Sequence, residues 1–88
     1  MIRLRIVRLV LEVSRPVGSL DAINLIKRLT ELSNVKSVTV KFRKISARAQ
    51  TLLLALEGDN LDYEHVSKML SEFNITIMGI DEIQALSK

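Results

Sequence analysis

Val35-Lys-Ser-Val-Thr-Val-Lys-Phe-Arg-Lys-Ile45, then Ser46-Ala-Arg-Ala49, then Gln50-Thr-Leu-Leu-Leu-Ala-Leu-Glu57 is the stretch that decides the fold. Both long runs alternate with period two, as a strand with one buried face requires. In the first, Val38, Val40 and Phe42 point inward, and Thr39, Lys41 and Arg43 outward. In the second, Leu52, Leu54 and Leu56 point inward, and Leu53 and Ala55 outward. No helix separates the two runs, so two consecutive strands form a hairpin in the middle of the chain. The lysines and arginines of the first suit an edge strand, where charge discourages stray pairing. The connection lacks the Gly or Asn of a tight two-residue turn, which predicts a longer, protruding hairpin.

The flanks of this hairpin are helical. Upstream, Ala22, Leu25, Ile26, Leu29 and Leu32 follow helical spacing, with Ser19 as the expected N-cap and Asp21 in the first turn. Ser33-Asn34 closes that helix, with Asn34 expected in the left-handed conformation. Downstream, Gly58-Asp59-Asn60 is a break from which Asp59 or Asn60 is expected to cap a helix carrying Val66, Met69, Leu70 and Phe73 inward. A further strand lies at each end. Residues 3–13 place Val7, Leu9, Leu11 and Val13 on one face and Ile6, Arg8, Val10 and Glu12 on the other, and Arg15-Pro16-Val17-Gly18 ends the run. The last strand begins near Thr76 with Ile77, Met78 and Ile80, and its phase slips at Asp81-Glu82 before Ile83, as at a bulge. Strand–helix–strand–strand–helix–strand with short connections predicts an α+β, ferredoxin-like βαββαβ sandwich: a four-stranded antiparallel sheet with two helices on one face.

Residues 1–88 are read as a single domain, small enough that its core has to be dense, and hydrophobic residues make up 48% of it. The absence of cysteine excludes disulfides, thiolate metal sites and a Cys nucleophile. Arg3, Arg5, Arg8 and Glu12 interrupt the apolar N-terminal stretch, so neither a signal peptide nor a membrane span is expected, and the expected location is the cytoplasm. The net charge of +3 is unevenly distributed. Residues 1–48 hold eleven Lys and Arg against three acids, a net +8, and residues 49–88 hold two against seven, a net −5. Such a dipolar chain suits an anionic partner on one side, or copies of itself joined by opposite sides.

Three segments carry a likeness to a known family: Arg8-Leu-Val-Leu-Glu-Val-Ser-Arg-Pro16, Leu56-Glu-Gly-Asp-Asn-Leu-Asp-Tyr63 and Ile80-Asp-Glu-Ile83. Together they resemble the archaeal family called domain of unknown function 211, across nearly the whole chain. The resemblance implies a ferredoxin-like fold and homo-oligomers, and brings no established activity. The chain departs from the family's pattern at Lys44, Ser46, Arg48 and Gln50, where acids are usual, and at Val17 and Met78, where His is frequent. Metal or acid–base roles built on those positions lose their support here.

Four acids, Glu12, Glu57, Asp81 and Glu82, form the candidate metal set, because oxygen-rich clusters suit Ca²⁺ or Mg²⁺. Against it stands the simpler expectation that such acids pair with Arg8, Arg43 or solvent, since no loop has compact ligand spacing. His65, among Asp62, Glu64 and Lys68, reads as a solvated side chain without an orienting partner or nucleophile. Lys41, Arg43, Lys44 and Arg48 are candidate anion contacts. Nucleic acid is not the expected partner, because a ferredoxin-like sheet that binds RNA stacks bases on aromatics, and the outward central positions here are Arg8, Val10, Leu53 and Ala55.

The second face of the sheet is expected to show Ile6, Val10, Leu53, Ala55, Met78 and Ile80 inside a charged rim, the pattern of a partner interface. The resulting expectation is a non-enzymatic homo-oligomer, a binding or scaffold domain that assembles through this face and the hairpin, with a head-to-tail ring as one arrangement. It needs no cofactor. The alternatives are a divalent-cation or small-molecule sensor and weak nucleic-acid binding along the basic edge.

Overall fold

A computed structural model describes residues 4–16 and 21–87. The elements run β1 (Leu4–Pro16), α1 (Ala22–Thr30), β2 (Val35–Ile45), β3 (Ala49–Gly58), α2 (Tyr63–Glu72) and β4 (Thr76–Ser87). All pairings are antiparallel and the strand order is β2-β3-β1-β4. The chain therefore has the ferredoxin-like α+β fold, with β2 and β4 as the sheet edges.

The core follows from alternation in the two central strands. Leu9, Leu11 and Val13 of β1 lie beside Leu56, Leu54 and Leu52 of β3, and all six are buried. Leu25 and Leu29 of α1 and Val66 and Leu70 of α2 close over them at 3.6-residue spacing. Leu61 and Ile75 seal the ends of α2.

Several local expectations are corrected. Asp21 is the N-cap of α1, accepting from the Asn24 N–H at 2.9 Å, rather than a first-turn residue; Ser19 lies outside the described residues. Asp62, not Asp59 or Asn60, caps α2 by accepting from the His65 N–H. The left-handed conformation belongs to Asn60 in the turn and Asn74 after α2, not to Asn34. β1 runs on to Pro16, paired with Ala49, where the missing N–H suits a strand end. The β2–β3 connection, residues 46–48, is longer than a tight two-residue turn, as expected, and the Ser46 hydroxyl closes it by accepting from the Ala49 N–H at 3.1 Å.

The register irregularities matter more, because each extra residue reverses which face the following side chains occupy. The phase slip expected at Asp81-Glu82 is present, with Asp81 extra between the Val10–Glu82 and Leu11–Ile80 pairs. Two further slips make Met78 extra on β4 and Val7 extra on β1. Ile6, not Val7, therefore packs against the core. On β2, Lys36 and Arg43 are extra, which places Lys44 opposite Thr51 on the same face as Lys41.

Gly58 ends β3 against the preceding loop, where a Cβ would lie 1.9 Å from the Asn34 carbonyl oxygen. A Cβ at Gly79 meets nothing within 4 Å. Gly58→Ala is expected to destabilise by at least about 1–3 kcal/mol, as overpacking does, while Gly79→Ala stays within about 0.5 kcal/mol, as open surface positions do. Urea denaturation of the two variants checks the contrast.

Candidate functional site

The face of the sheet away from the helices is built in rows across the strands. Thr39, Ala55, Val10 and Glu82 form one row, and Lys41, Leu53, Glu12 and Gly79 the next. Arg8, Val10, Thr39, Lys41, Leu53, Ala55, Asp81 and Glu82 line a shallow depression here. Its floor is Val10, Leu53 and Ala55.

Those three are the part of the expected apolar patch that the sheet gathers on this face. Ile6 is turned to the core by the Val7 bulge. Ile80 pairs with Leu11, so it lies on the helix side, because the Met78 bulge before it reverses its parity. Met78 is itself a bulge residue and is 61% exposed. The open face is thus less apolar than strict alternation implies.

The candidate acids are separated by a cation. Arg8 reaches Glu57 on one side through Nη1 and Glu82 on the other through Nε, each at 3.1 Å. This tie crosses three adjacent strands. Glu12 sits one row along, opposite Leu53 and Gly79. Among the described residues, no group of three or more His, Asp or Glu side chains is placed to hold a metal ion. The four acids do not converge, because the guanidinium occupies the place an ion would take.

The basic residues lie at the other edge. Lys41, Arg43, Lys44 and Arg48 are exposed. Among the described residues none of the four has an ion pair within 4 Å, whereas Arg5 pairs with Asp59 and Arg8 with two glutamates. No aromatic joins them on the open face: Phe42 pairs with Leu52 on the helix side, Phe73 packs under the Arg28 guanidinium, and Tyr63 packs on the core. His65 is exposed on α2. No helix of the described residues is long and apolar enough to cross a membrane.

What the periodicity did not indicate is a set of exposed apolar side chains on the helix side of the sheet and along β4. Phe42 and Ile45 at the hairpin end are 56% and 72% exposed, and Ile80 and Ile83 on β4 are 47% and 53% exposed. Edge position explains Phe42, Ile80 and Ile83, which share rows with the buried Leu52, Leu11 and Leu9 but lie on the outer strands β2 and β4; element lengths explain Ile45. Strands of ten to thirteen residues extend about 34–44 Å, whereas helices of nine and ten residues span about 14–15 Å. The edge position of β2 was legible in its charges and carried the part of this signal that concerns Phe42 and Ile45.

The family model described as an uncharacterised archaeal family, domain of unknown function 211, matches residues 7–88. The chain belongs to that family. It is also similar to the uncharacterised protein MJ0319 of Methanocaldococcus jannaschii, with 29% identity over 81 residues, covering 92% of this chain and 82% of that protein. Neither description names an activity, so the family fixes the kind of domain and leaves its use to the surfaces.

Removing the guanidinium in Arg8→Ala leaves Glu57 and Glu82 facing each other across β1. Half-exposed pairs of this kind contribute about 0.2–1 kcal/mol each. The expected loss is about 1 kcal/mol at low salt, shrinking in 1 M NaCl as screening weakens both attraction and repulsion. Thermal melts at two ionic strengths measure it, and a loss unaffected by salt would assign Arg8 a packing role instead.

Proposed function

We propose that this chain is a non-enzymatic binding or scaffold domain that works as a homo-oligomer, joined through the surfaces a single copy leaves bare. The observation that carries the reading is the mismatch of layers: the core of one copy is complete, yet Phe42, Ile45, Met78, Ile80, Ile83 and Leu86 remain 45% or more exposed. Clusters of large apolar side chains outside a finished core are characteristic of contact surfaces. The β2–β3 hairpin and the open face frame these margins, and the charged groups around them give a contact its orientation. The open face offers neither a nucleophile–base pair nor aromatic stacking positions, which supports binding over catalysis and over base-specific RNA recognition.

The native mass decides it. Light scattering coupled to size exclusion at micromolar concentration is expected to give a multiple of the 9.9 kDa chain, and a clean monomer removes the reading.

A second reading, small-molecule sensing, has one observation in its favour. Lys41 and Asp81 flank the depression from opposite edge strands, and neither has an ion pair among the described residues. A ligand touching both spans three inter-strand spacings, about 14 Å, which is the reach of a nucleotide. Millimolar ATP is then expected to raise the thermal midpoint, because a ligand specific to the native state stabilises it. An unchanged midpoint excludes this use of the depression.

A further inference from the structure

The two edges of the sheet are opposite in charge. β2 carries Lys36, Lys41, Arg43 and Lys44 and no acid, whereas β4 carries Asp81 and Glu82 and no base within Thr76–Ser87. Each edge strand presents a row of backbone groups to pair. From these edges we infer that β4 of one copy adds to β2 of the next, extending the sheet from copy to copy in head-to-tail order. The inference rests on the homo-oligomer reading above and names the joint that makes it.

Strand direction supports this joint. β4 and β3 both run antiparallel to β1, and β2 runs antiparallel to β3, so β2 and β4 point in opposite directions. Two copies in the same orientation therefore meet as an antiparallel pair, which is the more stable ladder. The alternatives within one surface type are disfavoured. A two-fold β4–β4 joint brings Asp81 and Glu82 toward their own copies, and a β2–β2 joint does the same with four cations, where like charges repel.

The side chains match row by row. With the copies level, Ile80 comes opposite Val40 of the next copy and Ile83 opposite its Val38, because the first pair shares the Leu11–Leu54 row and the second the Leu9–Leu56 row. Ile80 and Ile83 are exposed in the single copy, and Val38 and Val40 are only half-buried at the β2 margin. On the open face Glu82 comes opposite Thr39 and diagonal to Lys41, within reach of a long side chain. The helix-side core row thus continues across the joint, while charge selects which edge meets which. A joint of two different edges closes into a ring or runs on as a filament, according to the rotation between copies.

Complementary charge reversal tests it. Lys41→Glu with Arg43→Glu and Lys44→Glu leaves only Lys36 against three acids on β2 and so makes both edges acidic, and Asp81→Lys with Glu82→Lys makes both basic. Each chain alone is expected to fall to monomer mass with a native circular dichroism spectrum, and a one-to-one mixture is expected to regain assembly, since acidic edges then meet basic ones. Because Glu82 also pairs with Arg8, Asp81→Lys alone, which leaves β4 neutral, serves as a second chain with a weakened joint if the double variant does not fold; its assembly is expected to need at least about tenfold more protein. Variants that keep wild-type mass would overturn the edge joint while leaving homo-oligomerisation standing. Monomeric variants that stay monomeric when mixed would overturn it as well. A monomeric wild type would overturn the homo-oligomer reading itself, a separate result.

Discussion

Two helices of nine and ten residues have to cover one face of a sheet whose strands run ten to thirteen residues. A helix rises 1.5 Å per residue and a strand more than twice that, so they cannot. The helices close a compact core over the middle of β1 and β3, and the rest of the sheet extends beyond them. The 48 Å long axis, against 23 and 18 Å across, is the same fact expressed in shape. Ile45 lies beyond the helices along its strand, whereas Phe42, Ile80 and Ile83 lie beside them on the edge strands, in rows whose central members are buried. The apolar area they present is costly to leave in water, and that cost is the ground for the homo-oligomer proposed above.

The open face is organised by charge instead. Arg8 ties Glu57 and Glu82 across three strands, which draws two of the four candidate acids into ion pairs and leaves a shallow floor of Val10, Leu53 and Ala55. Among the described residues, the charges without an ion pair include Glu12 on central β1, the lysines on β2 and Asp81 on β4. The charge dipole visible in the halves of the chain thus becomes, in three dimensions, a contrast between the two edges of one sheet.

Much of this was legible in the sequence. Unbroken apolar alternation at Leu52, Leu54 and Leu56, and at Leu9, Leu11 and Val13, marked the two central strands and their buried face, and helical spacing placed both helices. The basic edge strand β2 and the slip at Asp81 were also legible, since charge and phase are properties of a single strand. The bulges at Val7, Met78 and Arg43 were not, because an extra residue is defined only against the partner strand it skips. Their effect was large: they moved Ile6 and Ile80 off the face to which alternation assigned them and brought Lys44 onto it. The caps at Asp21 and Asp62 lay within three residues of the expected positions, in stretches where several Asp, Asn and Ser residues compete for the same role.

Assembly through the sheet edges requires the outer edges of β2 and β4 to be paired in the native protein. Amide hydrogen exchange followed residue by residue at two protein concentrations tests this most directly. Outward-facing amides of Thr76–Ser87 and Val35–Ile45 are expected to gain protection as concentration rises, while those of β1 and β3 stay protected throughout. Edge amides that exchange rapidly and equally at both concentrations, in a protein whose β1 and β3 amides are protected, would contradict it.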